Sequence, residues 1–213
     1  MNTSDKHYSI RKETPQDYAA TENLVREAFW NVYRPGCTEH YVLHCLRDDS
    51  AFVPKLDFVM MQGQKLIGQI VFMRAEIKSD GGKAIPVMTF GPISIHPQYQ
   101  RKGYGKALLD YALAQAEQMG AGAVCIEGNL AFYGKSGFVT AAAKGIDLYL
   151  YGTPRGKALP YFLLKELKAG YLEGITGVYI TPQGYFIDQE KAEAFDQKFP
   201  FKEKLKLPGQ LFS

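Results

Sequence analysis

The stretch from Thr89 to Lys106 limits what this chain can fold into more than any other. It reads Thr-Phe-Gly-Pro-Ile-Ser-Ile-His-Pro-Gln-Tyr-Gln-Arg-Lys-Gly-Tyr-Gly-Lys. The apolar run carrying Ile93 and Ile95 predicts a strand, and His96-Pro97 ends it because proline has no N–H for a ladder. Gly103 and Gly105 then open an amphipathic helix running to Met119, with Leu108, Tyr111 and Ala112 on one face and Gly120 as its stop. This order exposes N–H groups that lack intrahelical partners, at the positive end of the helix dipole. Such a place suits an anionic phosphate. The two glycines let the backbone come close to a ligand, and Arg101, Lys102 and Lys106 add positive charge.

What the loop lacks narrows the choice. Its Gly-x-Gly has no third glycine for a dinucleotide fingerprint, and no Gly-x-x-x-x-Gly-Lys-Ser/Thr is present for a nucleoside triphosphate. The remaining pattern is Gln100-Arg101-Lys102-Gly103-Tyr104-Gly105.

The text around the loop predicts a mixed sheet. Tyr8 to Arg11 reads as a first strand. Thr14-Pro15-Gln16-Asp17 starts a helix with Thr14 as N-cap, broken at Arg34-Pro35-Gly36. A second helix follows from Thr38 to about Arg47. Asp57 to Met61, Leu66 to Ile77 and Ala84 to Ile95, joined by glycine turns, predict an antiparallel meander. Gly91-Pro92 interrupts its last strand and predicts a bulge or splay. Ala123 to Glu127 is a short buried strand, and strand–loop–helix–strand at this length implies a right-handed parallel crossover. A helical turn over Phe132 to Lys135 ends at Gly137, before a strand beginning at Phe138. Beyond Asp147, Tyr149-Leu150-Tyr151 and Tyr161 to Leu167 are strand-like, with a turn at Thr153-Pro154-Arg155-Gly156 between them. Phe162-Leu163-Leu164 is expected to complete the sheet. Glu190 to Lys198 reads as a charged helix closed by Phe199-Pro200.

With 213 residues and 46% hydrophobic content, the chain can bury one sizeable core. The net charge of +3, from 25 basic and 22 acidic residues, asks for neither nucleic acid nor an anionic membrane. No 18-residue apolar run and no apolar leader appear, and three cysteines make no disulfide framework. A cytoplasmic protein is expected. Cys37, His40, His44 and Cys45 are metal-ligand types near one helix. No partner pair and no His-Glu-x-x-His exist elsewhere, so no metal is expected. His40, Tyr41 and His44 are candidates to face an acceptor pocket instead, with Phe29, Trp30 and Tyr33.

About thirty residues after the loop comes Gly128-Asn129-Leu-Ala-Phe132-Tyr133-Gly134-Lys135-Ser136-Gly137-Phe138. Gln-x-x-Gly-x-Gly followed at this distance by Phe-Tyr-x-x-x-Gly-Phe, with a helix and a strand between, resembles the two signatures of the GCN5-related N-acetyltransferases (GNAT family). The Gly-Pro-x-x-Ile-His-Pro and Gly-Asn-x-x-Phe-Tyr runs look most like its bacterial YhbS-like subgroup. The resemblance spans about Tyr8 to Asp147. It implies an α/β fold: a GNAT-like mixed sheet, antiparallel at its N-terminal strands, with a parallel pair splayed at the centre and helices on its flanks. Residues 1–150 would be the N-acetyltransferase domain, and 151–213 an extension completing the sheet.

The same resemblance implies acetyl-CoA as co-substrate and a primary amine, on a small molecule or a protein, as acceptor. It lays pantetheine along Ile93, Ser94 and Ile95, with a backbone N–H there for the oxyanion. The pyrophosphate falls on the N–H groups from Arg101 to Lys106, with Gln100 and Asn129 beside it, and Tyr133 becomes the acid for the leaving thiolate. A phenol with a pKa near 10 is protonated at neutral pH and can do this. The base departs from the pattern, since Thr89 to Ile95 holds no carboxylate; Glu127, His96 or a chain of waters are the alternatives. A coenzyme A sensor without catalysis and a nucleotide-binding module are the rival readings. Nucleic acid and membrane partners are not expected, and a homodimer is compatible with the chain.

Overall fold

The structure is a computed structural model, and it describes residues 7–149 and 155–211. In chain order its elements are β1 (Ser9–Lys12), α1 (Tyr18–Phe29), α2 (Glu39–Leu46), β2 (Phe52–Gln62), β3 (Lys65–Ser79), β4 (Ala84–Ile95) and α3 (Tyr104–Gln118). Then come β5 (Ala123–Glu127), α4 (Leu130–Tyr133), β6 (Val139–Thr140), β7 (Ile146–Leu148), β8 (Phe162–Glu166), β9 (Gly177–Ile180) and α5 (Gln189–Asp196).

All the strands join one sheet in the order β1-β2-β3-β4-β5-β8-β6, and β9 pairs with both β3 and β7. Strands β1 to β4 form the antiparallel meander. β4 and β5 run parallel at the centre and share a single register pair, Met88 with Val124. This is the mixed α/β sheet expected from the sequence, and the parallel pair opens beyond that point.

β3 shows why the sheet is covered on both faces. Side chains alternate along a strand, so neighbours face opposite layers. Ile70 and Phe72 pack with Leu108, Leu109 and Ala112 of α3, whereas Val71 and Met73 pack with Val25 of α1 and Leu43 and Leu46 of α2. All of these are buried, and each buried aliphatic or aromatic side chain contributes about 1.5–3 kcal/mol. Gly68 lets α3 sit close, because a β-carbon there would meet Ile95 at 2.7 Å and Leu108 at 3.3 Å.

The start of α1 follows the expected chemistry. The Thr14 N–H and hydroxyl both donate to Asp17 Oδ2, at 2.9 and 2.6 Å, across a 3-10 turn over Pro15–Asp17. The end of α1 differs from expectation. The helix stops at Phe29, before Arg34-Pro35-Gly36, because Trp30 leaves the helical conformation and Asn31 turns left-handed at φ 59°. The bulge in β4 is where Gly91-Pro92 places it: the register with β3 shifts between Ile70 and Phe72, around a cis Gly91–Pro92 bond.

β7 and β9 were not legible as strands in the sequence. Leu150, Tyr151, Thr153 and Pro154, which carry the strand and turn expected after Asp147, lie outside the described residues, as does the expected domain boundary. Downstream of it, β8 lies between β5 and β6, so its residues are part of the sheet. Among the described residues, no helix is long and apolar enough to cross a membrane.

Candidate active site

The site forms where β4 and β5 part. His96 donates its N–H to Ile67 O at 2.9 Å, and bonded residues alternate along an antiparallel strand. Ser94 therefore bonds toward β3, while Ile93 and Ile95 turn their backbone N–H groups toward β5. Opposite them the β5 end carries Glu127, followed by Gly128 and Asn129. Between the two strands opens a cleft of about 630 Å³, lined by Ile93, Ser94, Ile95, Gln100, Glu127, Asn129 and Tyr133 among others. A second cleft of about 650 Å³, between the Arg34–Thr38 loop and α5, holds none of the motif residues.

The side chains of the β4 segment are already engaged. Ile95 is buried under α3, and the Ser94 hydroxyl, also buried, donates to Gln69 Oε1 at 3.4 Å. What this strand offers to the cleft is backbone. Gln100 closes the strand end by donating its Nε2–H to Ile95 O at 2.9 Å.

The loop that follows turns sharply through two left-handed residues, Arg101 at φ 58° and Gly103 at φ 85°. Gly103 is the N-cap of α3 and has no side chain to satisfy the first-turn N–H groups, so a ligand oxygen can take them. Arg101, Lys102 and Lys106 are exposed around this turn. Lys102 donates to Gln98 O at 2.8 Å, and Lys106 pairs with Asp110. Tyr104 is different: its ring is buried against Tyr8 and Tyr99, and its hydroxyl accepts from Gln62 Nε2 at 3.1 Å. Tyr104 can serve a ligand only through its backbone. Phe132 stands 3.4 Å from where a Gly105 β-carbon would be, so that glycine lets α4 close over the helix start.

Tyr133 reaches the cleft from α4, whose N-cap is Asn129: its Oδ1 accepts the Ala131 N–H at 2.8 Å. The Tyr133 ring packs against Phe90, Phe132 and Phe138 and lies directly on Gly128, where no β-carbon would fit. Burial pushes its pKa well above the ordinary phenol value, with a smaller push from Tyr33, so it stays protonated. Glu127 remains accessible to solvent, yet it is walled in enough for desolvation to raise its pKa above the usual carboxylate value. His96 does not line the cleft; its Nδ1 accepts the Gln98 N–H at 3.3 Å at the end of the strand.

Several cleft residues come from elements that carry no functional motif. Glu39 stands in the first turn of α2. Tyr179, Thr181 and Tyr185 arrive from β9 and the turn after it, and Tyr185 donates its hydroxyl to Gly91 O at 3.0 Å, on the bulge itself. The alternation in Gly177-Val-Tyr-Ile180 was the available clue. Of the aromatic residues expected here, Phe29 and Tyr33 line the cleft. His40, Tyr41 and His44 do not; their rings pack against Phe195 of α5, and Trp30 turns to the C-terminal segment, donating Nε1–H to Glu203 O. Among the described residues, no three His, Cys, Asp or Glu side chains gather as a metal site.

Comparison with known proteins agrees with this geometry. Residues 54–140 match the family model of the acetyltransferase (GNAT) domain. The chain is thus similar to GNAT acetyltransferases over this part of its length. It is 25% identical over 169 residues to the Escherichia coli (strain K12) protein described as the uncharacterized N-acetyltransferase YhbS, covering 79% of this chain and 93% of that one. The crystal structure of Escherichia coli YhbS in complex with CoA superposes with a TM-score of 0.71 at 23% identity, covering 86% of this chain and 96% of that one. A GNAT family acetyltransferase from Brucella melitensis, solved in complex with acetyl-CoA, gives 0.65 at 25% identity, with 84% and 99% covered. The GNAT resemblance carried by the two sequence motifs is thereby confirmed, along with its YhbS-like character.

Proposed function

We propose that the chain transfers an acetyl group from acetyl-CoA to a primary amine by direct attack within a ternary complex. The observation that carries this reading is the meeting of both motifs in one cleft: the splayed end of β4 on one wall and Tyr133 on the other. The complexes of its relatives with CoA and acetyl-CoA supply the co-substrate class.

Each residue has a chemical task. The first turn of α3 and the Arg101–Lys102 side chains hold the pyrophosphate by N–H donors, helix dipole and charge. The β4 backbone at Ile93 to Ile95 binds the pantetheine arm, and an N–H there stabilises the oxyanion that develops at the thioester carbonyl. Glu127 takes a proton from the acceptor ammonium, directly or through water, so that the neutral amine attacks the thioester carbonyl, and desolvation raises its pKa and so its strength as a base. Tyr133 gives its phenolic proton to the departing thiolate. Its raised pKa keeps the proton available throughout a normal assay range.

The test is Tyr133→Phe, which keeps the ring packing and removes the hydroxyl. The expected result is a turnover loss of about a hundredfold to ten-thousandfold, with acetyl-CoA affinity by calorimetry unchanged. Unchanged turnover would remove Tyr133 from the chemistry. A wild-type protein that binds acetyl-CoA but acetylates no amine would instead leave the coenzyme A sensor standing.

A further inference from the structure

The charge of the cleft is one-sided. Among the described residues that line it are two carboxylates, Glu39 and Glu127, and no lysine, arginine or histidine. The cations lie outside the lining, around the start of α3 and, on the Glu39 side, at Arg34, whose charge acts on Glu39. The two carboxylates come from different elements, Glu127 from the end of β5 and Glu39 from the first turn of α2. Glu39 is held in place by accepting the Thr38 N–H on Oε2 at 2.9 Å. The rest of the acceptor side is apolar or phenolic: Phe29, Val32 and Tyr33 beside Glu39, with Phe132 and Tyr179 across the cleft.

We propose that this cleft selects a primary amine on an apolar or aromatic body that bears no carboxylate or phosphate, and that Glu39 binds its ammonium form. The proposal rests on the reading of the cleft as the transfer site. A cation entering a desolvated cleft needs a paired anion, and Glu39 supplies one. Aromatic faces add attraction for the same cation. An anionic substituent on the acceptor would meet two carboxylates and no cation in the lining, with Arg34 already facing Glu39 from outside it, and would be left poorly paired. Burial first, and then the Glu39 charge, raise the pKa of the Tyr33 phenol, so Tyr33 stays a neutral neighbour of Glu39 on this wall.

The experiment uses matched acceptors that differ only by a carboxylate: phenethylamine against phenylalanine, and 1,5-diaminopentane against lysine. Turnover is read as coenzyme A thiol release, and amine binding as ligand-observed NMR on the protein without acetyl-CoA. The carboxylate-free member of a pair should show about tenfold or greater preference, and Glu39→Gln should raise its KM about tenfold. Glutamine keeps an oxygen for the Thr38 N–H, and acetyl-CoA affinity should not move; circular dichroism checks the fold.

Amino acids used or bound as well as the amines would overturn the inference. So would an unchanged KM in Glu39→Gln, or a protein that binds acetyl-CoA but neither binds nor acetylates any of these amines. If wild type fails to bind acetyl-CoA, the transferase reading falls by itself. The NMR comparison of wild type with Glu39→Gln then still decides whether the cleft takes such amines.

Discussion

Asp57 is a carboxyl that the fold keeps protonated. It is buried in β2, and its Oδ1 has no hydrogen-bond partner. Burial first, then the adjacent Glu13, push its pKa up to about 9, against the opposing pull of Arg47. Arg47 is already committed to Glu13 at 2.9 Å and Glu22 at 2.6 Å. In the unfolded chain Asp57 returns to an ordinary value near 3.8. Its folded pKa is raised, so its contribution to stability is full below about pH 4 and is lost as pH rises toward 9. The melting temperature should therefore carry a falling component between pH 5 and 8, and Asp57→Asn should flatten that slope. A slope unchanged in Asp57→Asn would assign it elsewhere.

Gly128 gives a second prediction at this scale. A β-carbon there would push the Tyr133 ring out of its place among Phe90, Phe132 and Phe138. Gly128→Ala should lower turnover by about tenfold or more, since a small misplacement of a catalytic group is costly. In a Tyr133→Phe background it should cost little more, because the hydroxyl it misplaces is already gone. Steady-state kinetics on the two single mutants and the double mutant measure this directly.

At the scale of elements, α3 ties the core to the proposed cofactor loop. One face, from Leu108 to Ala116, holds the helix against β3, and this rigidity fixes the N–H groups of its first turn. Gly103 at φ 85° accepts a side chain only at about 1–2 kcal/mol of backbone strain. Gly103→Glu would also place a carboxylate at the positive end of the dipole, where the pyrophosphate should sit. Acetyl-CoA binding by calorimetry should be lost while the folded spectrum remains. Retained affinity would take the phosphate site away from this loop.

The loop and the helix after it were legible in the sequence because both depend on local chemistry: a proline stop, glycines and an amphipathic period. The strands β7 and β9 were not. They are three and four residues long and exist because they pair with each other and with β3. The alternation in Gly177 to Ile180 is too brief to separate a strand from a loop by itself.

At the scale of the molecule, the C-terminal segment is fastened to α1 and α2, which wall one side of the cleft. Arg26 of α1, buried, donates to Asp196 of α5 at 2.6 Å, and His40 Nε2 lies 3.1 Å from the same carboxylate. Burial pushes the His40 pKa down to about 4, so the ring is neutral and Arg26 is the cation that Asp196 balances. Beyond α5 the chain runs back over the end of α1: Asn31 Nδ2 donates to Glu203 O at 3.0 Å, and Leu211 N–H donates to Tyr33 O at 2.9 Å. Val32 and Tyr33 are cleft residues. Asp196→Ala leaves the Arg26 charge buried and unpaired, a loss of about 3–5 kcal/mol. Denaturant unfolding followed through Trp30, the single tryptophan, should show it, because that ring lies under the Arg26 guanidinium at 4.2 Å. Unfolding at wild-type denaturant concentration would mean that Arg26 finds another partner.

The sequence by itself determined the meander, the glycine loop, the α3 crossover and the Tyr133 motif, since each is written in neighbouring residues whose backbone preferences and periodicity act locally. Only the tertiary structure decided the wall of the cleft built from α2 and β9. Glu39, Tyr179 and Tyr185 stand far apart in the chain and share no motif. They meet because β9 pairs with β3 and because the opened β4–β5 edge leaves a space to be walled. Side chains brought together by packing carry no mark of their meeting in the local sequence.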